Sequence, residues 1–321
     1  MRSKGLFEIS SALCGSRAIK VVGRASAGLR YKALSEEELS LNLLDFGTGG
    51  MSWFEKFEKG EVDVGWINPA APLTMAAKGI GPFNHPIPVA TIATFPSWDR
   101  MVFAISKNIG IESLAELKEK QYPLKVSVFA GRGDAPGKMY KDWATIFAIE
   151  EVLKFHGFSL KDIEKWGGSV QVVSAPRDHR RLEAIDKQTI DAVFDEGIQA
   201  WGPAALAKGM KFVDLDEGAI ERMKQFGFRR GLVRKSSILG LDQDVVSLDF
   251  SGWPIFVHPD MSEIVAYQLC VAIEARRGSI PVDQEETLEI GQLCRDSEAC
   301  PLDVPLHPGA ERFYRDRGYL S

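Results

Sequence analysis

The sequence predicts an α/β fold built on parallel-rich sheets. Three observations lead there. Short runs of β-branched and apolar residues alternate with stretches of helical periodicity; glycine or proline punctuates the junctions; and β-rich stretches at 89–105 and 246–257 bracket a complete second strand–helix series. In such folds ligands gather beyond the C-terminal ends of strands, so the loops that follow strands are where binding residues are sought.

The first series opens with LSLNLLDFGTGG (39–50), an apolar strand running into a glycine turn. Trp53, Phe54 and Phe57 then recur at helical spacing in SWFEKFEKGE. VDVGWINP is the next strand, halted by Pro69, and a short helix from Ala70 to Lys78 is ended by Gly79. The apolar run PVATIATF leads through Pro96 and Trp98 into MVFAISK.

The second series starts where Ser113 and Glu116 form a capping box, the serine accepting from an early helical amide and the glutamate reaching back. KVSVF (Lys125–Phe129) is a strand that enters the loop AGRGDAPGK, after which Met139, Trp143, Ile146, Phe147 and Leu153 mark one face of a long helix ended by Gly157. Strand VQVVSA, helix DHRRLEAIDK, strand TIDAVF, the run FVDLD and helix EGAIERMKQF follow. LVRKSSILGLDQD reads as a polar connector, and the return crossing is expected in VSLDFSGWPIFVHPD. A long helix then begins at Asp260 and Glu263 and closes with Arg276 and Arg277, placed well against the negative end of its dipole.

Composition narrows the function. With 39 basic against 44 acidic residues in 321, a net charge of −5, the chain lacks the basic surface that a duplex nucleic-acid binder needs. Cys14, Cys270, Cys294 and Cys300 show no CxxC and no cysteine–histidine ligand spacing, so free, partly buried thiols are expected, with neither a zinc site nor a disulfide framework. The apolar run Leu6–Leu13 is interrupted by Glu8 and too short for a secretory core, and Leu13 before Cys14 is too large for a lipoprotein cleavage site. No stretch approaches the roughly 20 apolar residues of a membrane helix. The five histidines lack ligand spacing, no serine lies in a GxSxG elbow, and Asp178–His179 reads as a helix cap with a surface histidine. No metal or organic cofactor is expected.

The closing stretch VPLHPGAERFYRDRG (Val304–Gly318) resembles the C-terminal signature of the TAXI family, the extracytoplasmic solute receptors of tripartite ATP-independent periplasmic (TRAP) transporters. Other segments fall in that family's order: the TGG turn at Thr48–Gly50, GEVDVG at Gly60–Gly65, ISKNIGIESLAELK at Ile105–Lys118, and TIDAVFDEG at Thr189–Gly197, which lacks the family's glycine before the strand. The resemblance covers about residues 40 to 318. It implies a two-lobed type II periplasmic-binding-protein fold with two crossing strands: lobe one from 1–103 with 245–321, lobe two from 104–244, and a small ligand held in the cleft. It also implies that the tail is mainly structural. The N-terminus departs from the family, reading LFEISSALCGSRAIKVVGRASAG, a helix and a short apolar run, where a strand and a glycine–tyrosine-rich loop are usual.

Site candidates follow from those junctions. Thr48, Gly49 and Gly50 would present backbone amides at a helix N-terminus, suited to an anion, although a GxGG is by itself only a turn. Arg132 and Gly133 stand at the matching junction of lobe two, where the arginine fork suits a carboxylate; as a solvated loop residue Arg132 would have no such role. GRGDAPGK is not a Walker A loop, since no Ser or Thr follows Lys138. Trp66, Asn68 and Trp98 could supply an aromatic wall and an amide donor, or be core; Glu196 and Trp201 are weaker candidates. The expected function is capture of a small organic anion, such as a dicarboxylate or amino acid, for TRAP membrane subunits. The alternatives are a cytoplasmic enzyme of the same fold acting on an aromatic or organic acid, and a cytoplasmic ligand sensor. The family is exported while no leader is recognisable, so an extracytoplasmic location rests on the resemblance alone.

Overall fold

Two sheets organise the chain, each assembled from the apolar runs that alternate with helices. The structure is a computed structural model, and it describes residues 5, 8, 9, 11–13, 20–22, 28–31, 44–48, 50–130, 143–280 and 288–321. The chain divides into two compact units, Met1–Trp98 with Ser251–Ser321 and Asp99–Phe250, so it passes twice between them.

Unit one contains β1 (Lys20–Val22), β2 (Gly28–Tyr31), β3 (Leu44–Thr48), β4 (Val64–Trp66), β5 (Ala90–Phe95) and β13 (Trp253–Val257), in the order β1-β2-β3-β4-β13-β5. β3 and β4 are parallel, whereas β13 is antiparallel to both of its neighbours, β4 and β5. The side chains of β13 alternate between two cores. Ile255 and Val257 join Val64, Ile92, Leu269 and Phe313 on one face, and Phe256 joins Phe54, Phe57, Leu73 and Val304 on the other. Helices α1 (Trp53–Glu58) and α2 (Ala71–Lys78) supply the second cluster; α9 (Glu263–Ala275) and α10 (Pro308–Asp316) supply the first.

Unit two contains β6 (Arg100–Ser106), β7 (Lys125–Phe129), β8 (Ser169–Val173), β9 (Ala192–Asp195), β10 (Met210–Val213), β11 (Arg229–Val233) and β12 (Val245–Asp249). The order is β11-β12-β6-β9-β7-β8, with β10 also on β6. β7 is parallel to β8 and β9, while β6 runs antiparallel between β9 and β10. The helices are α3 (Leu114–Lys120), α4 (Ala144–Phe155), α5 (Leu160–Lys165), α6 (His179–Asp186), α7 (Gly202–Ala207) and α8 (Glu217–Lys224). Both sheets thus share one feature: a strand next to a crossing, β13 in unit one and β6 in unit two, is inserted antiparallel beside strands that run parallel to one another, while β2 and β11 are further antiparallel strands towards the sheet margins. The chain has the α/β, twice-crossed organisation that the resemblance implies.

Details differ from the sequence reading. The units meet at Trp98/Asp99 and Phe250/Ser251, whereas a division at 103 and 244 cuts β6 and gives β12 to lobe one; β12 pairs with β6 through Asp249↔Arg100, which keeps both in unit two. The segment read as connector from Leu232 begins inside β11, which forms a hairpin with β12. Ser113 does accept from the Glu116 amide (3.1 Å), but the Glu116 carboxylate takes the Glu112 N–H (2.7 Å). A complete capping box forms instead at Ser159 and Asp162.

The tail is built into unit one. Thr91 and Leu306 form a bridge, the Thr91 carbonyl accepts from His307 N–H (2.8 Å), and His307 caps α10 by accepting from Gly309 N–H (3.1 Å). With Nδ1 accepting, Nε2–H donates to the Pro259 carbonyl (3.0 Å). Phe313 and Tyr314 are buried, and the Tyr314 hydroxyl donates to the Ile92 carbonyl (3.1 Å). Cys270, Cys294 and Cys300 are free and buried, and burial raises the Cys300 thiol to about 12, which leaves it an unreactive, protonated thiol.

Candidate functional site

In unit one the register brings the strand ends level. Thr48 pairs with Trp66 across β3 and β4, while Trp66 and Phe95 are the partners of Ile255 and Trp253 on β13. The turn at Gly50, the Asn68–Pro69 turn and the segment Pro96–Trp98 therefore leave one edge of the sheet. Of the sequence-predicted residues, Thr48 ends β3, and Gly50 accepts the Trp53 N–H (3.1 Å) where α1 opens. Gly49, Arg132 and Gly133 lie outside the described residues.

Trp66 is 1% exposed and packs on Phe95, with ring centres 5.0 Å apart, and edge-on to Trp253 at 6.4 Å. It is a core residue in this structure. Half-buried Asn68 donates from Nδ2 to the Gly252 carbonyl (3.0 Å), and Gly252 N–H donates to Ser97 Oγ (2.8 Å). Asn68 thus anchors the returning chain beside the departing one, a role its amide gives it whatever it does for a ligand. Trp98 is half-buried at the end of unit one's first segment. A small pocket beneath this edge is lined by Thr74, Thr91, Thr94, Pro254, Pro301 and Asp303, among others, with room for about one water, too little for an organic acid.

In unit two, β7, β8 and β9 end at one edge, and the antiparallel β6 begins there, since Val102 pairs with Asp195. This edge holds charged residues that the sequence reading missed. Arg100 is wholly buried and donates from Nη1 to Asp249 Oδ1 (2.7 Å) and to the Asp99 carbonyl (2.7 Å). Arg181 on α6 is equally buried and pairs with Asp195 at the end of β9. Burial pushes the Asp195 carboxyl above its ordinary range while the Arg181 charge opposes that rise. A clue was present: Arg100 opens the apolar run RMVFAIS and Asp195 closes AVFD, and charges adjoining buried strands require partners. Sequence spacing alone could not pair them.

Asp178 is the cap expected, accepting from the Arg180 amide (3.0 Å) and from Ser174 N–H (3.0 Å) and Oγ (2.9 Å). A bidentate contact with the Arg180 guanidinium, then these amide bonds, hold its carboxyl well below the usual range. Its neighbour His179 is 87% exposed at the side chain, so the pair does not form a buried dyad. Trp201 is fully buried and donates from Nε1 to the Glu196 carbonyl (2.9 Å), fixing the turn that leaves β9. Chemically, the two edges offer hydrogen-bonding turns and half-buried aromatic surface. The buried Arg100 and Arg181 are matched by Asp249 and Asp195 of the same unit. Among the described residues no three His, Cys, Asp or Glu side chains group to hold a metal, and no helix is long and apolar enough to cross a membrane.

No protein-family model matches the chain, and no curated protein matches it. Similar solved structures include the alkanesulfonate-binding protein SsuA from Xanthomonas axonopodis pv. citri bound to MOPS, at 14% identity over 72% of this chain and 63% of that one, with a TM-score of 0.31. The glycine betaine/L-proline-binding protein ProX from Borrelia burgdorferi shares 14% identity over 64% of this chain and 60% of its own, with a TM-score of 0.34. The aliphatic sulphonate-binding protein SsuA from Escherichia coli shares 13% over 72% and 61%, with a TM-score of 0.35. This chain spans less than two thirds of the length of each of the three.

Proposed function

We propose that the protein is a solute-binding protein of the TAXI type, which captures a small organic anion such as a dicarboxylate or amino acid outside the cytoplasm and delivers it to TRAP membrane subunits. The observation that supports this most is the shared plan of the two units. In each, the parallel strands end at the edge to which both connecting segments attach: Phe95 and Trp253 are paired in unit one, Arg100 and Asp249 in unit two. Strand C-terminal edges are where α/β sheets take ligands, and paired connectors at that edge let a solute couple to hinge motion. The tail's match to the TAXI signature, and its seating on β5, favour that type of receptor.

The proposed solute contacts are the amides of Thr48–Gly50, the half-buried Asn68 and Trp98, and Arg132 with Gly133 in unit two. A thermal-shift series over dicarboxylates, amino acids and aromatic acids tests the reading. A true ligand at a hundredfold its Kd adds about 2.7 kcal/mol, a rise of several degrees. Calorimetry with the acid found should then show Arg132→Ala weakening binding at least about thirtyfold, since loss of a charge-assisted partner costs about 2–5 kcal/mol. A series in which no acid raises Tm would remove the function, and parent-like affinity in Arg132→Ala would remove that residue. Uptake of the bound acid by vesicles carrying TRAP subunits, and only with this protein added, distinguishes the TAXI assignment from a receptor of another transporter class.

A further inference from the structure

Arg181 does more than neutralise Asp195. From α6 its Nε donates to Ser127 Oγ on β7 (3.0 Å), its Nη1 to the Pro176 carbonyl in the β8–α6 loop (3.2 Å), and its Nη2 pairs with Asp195 at the end of β9. One planar guanidinium with five donors thereby joins the middle of β7, the loop that leaves β8 and the end of β9, which an ammonium on a flexible stem cannot do. The loop so held is fitted to the next one. Gly197 has φ of +63°, and a Cβ there would lie 2.6 Å from Pro176 Cβ, so only glycine lets the β9 exit turn close against Pro176. Gly197 N–H then donates to Asp99 Oδ1 (2.9 Å), and the Asp99 carbonyl accepts from Phe250 N–H (3.0 Å). Asp99 and Phe250 are the residues at which the chain enters and leaves unit two. Contacts therefore run without a break from the β8–α6 loop to both ends of the unit.

We propose that Arg181 is a positioning residue: it sets the β8–α6 loop and the β9 exit turn at the ligand-facing edge of unit two and, through Asp99, ties both to the ends of the two connecting segments. That this edge faces a solute rests on the proposed function; the tie itself does not. The alternative, that Arg181 merely balances a buried charge, makes a different forecast. A buried ion pair exchanged for apolar side chains of similar volume is often neutral or stabilising. Such an exchange removes the bonds to Pro176 and Ser127 all the same, so it separates stability from positioning.

The test is amide hydrogen exchange by mass spectrometry on the full chain without added solute, for the parent, Arg181→Met and Arg181→Met/Asp195→Leu. The single variant leaves Asp195 buried and unmatched and melts earlier, while the double variant regains the parent Tm. In both, peptides spanning 174–178 and 196–197 exchange at least about tenfold faster, the Phe250 amide follows, and α4 stays as protected as in the parent. A double variant with parent Tm and parent protection at these loops overturns the proposal. Should the double variant not fold, Arg181→Lys decides, because it keeps a cation by Asp195 and loses the fork. Faster exchange at 174–178 and 196–197 supports the positioning role, and unchanged exchange overturns it. With no solute present, failure here removes Arg181 and leaves the binding reading intact, just as failure of the acid series leaves the exchange result standing.

Discussion

The seating of the C-terminal helix can be challenged at one atom. Gly309 is the second residue of α10, and a Cβ added there would lie 2.2 Å from the Glu263 carbonyl oxygen and 2.8 Å from both Glu263 C and Cα. All three are backbone atoms at the start of α9, so no side chain can swing away. Reaching even 3.0 Å requires α10 to back off by about 0.8 Å, which loosens buried Phe313 and Tyr314 and strains the Tyr314 bond to Ile92. Overpacking of this kind costs about 1–3 kcal/mol, against a gain of up to about 1 kcal/mol when alanine replaces glycine in a helix. Gly309→Ala should therefore lose about 1–2 kcal/mol, a fall of about 2–8 °C in Tm by calorimetry. Gly278→Ala is the control, since nothing lies within 4 Å of the added carbon. A Gly309→Ala protein as stable as the parent would refute the close approach of α10 to α9.

Two further outcomes follow from buried polar groups. The Thr94 hydroxyl is fully buried on the small pocket of unit one and has no hydrogen-bond partner among the described residues, so Thr94→Val should raise stability by about 1 kcal/mol in urea unfolding; a loss would show the hydroxyl bonded to ordered water there. Asp178, whose folded pKa is depressed by Arg180 and the cap amides, contributes stability that is fully present above the unfolded value near 3.9 and is lost as pH falls below it. Asp178→Asn keeps the cap and should flatten the unfolding-versus-pH curve below about pH 4; an unchanged acid slope would mean that other carboxylates dominate it.

The strands and helices were legible wherever one period ran unbroken. KVSVF is β7 over the residues expected, and the helices at Ala71–Lys78 and His179–Asp186 lie within their expected spans, because glycine or an aspartate cap marks their ends. β11 was missed because Arg229 and Arg230 make an edge strand look like a loop; it is held by β12, whose paired residues lie 12 to 20 positions on, from Val233↔Val245 to Arg229↔Asp249, and pairing at that range leaves no local trace. The aromatic candidates show the same limit. Trp66 and Trp201 follow or flank strands as ligand residues would, yet both are core, since a tryptophan beside a strand end reads alike in sequence whether it points in or out. Arg100 and Arg181 were legible as charges near apolar runs, but their partners lie 149 and 14 residues on, joined only by the sheet.

The inserted strands give the chain an order of completion. Unit two is one continuous stretch, so β6 finds every partner it needs within Asp99–Phe250. Unit one is split, and until Trp253–Val257 arrives there is a gap one strand wide between β4 and β5, each edge lacking the backbone partner that β13 supplies. As the chain leaves the ribosome, the whole middle stretch is therefore self-sufficient once Phe250 has emerged, while the beginning waits for the end. A chain stopped short of residue 253 would carry a finished second unit beside an unclosed first one, with two open sheet edges ready to pair with whatever strand comes first.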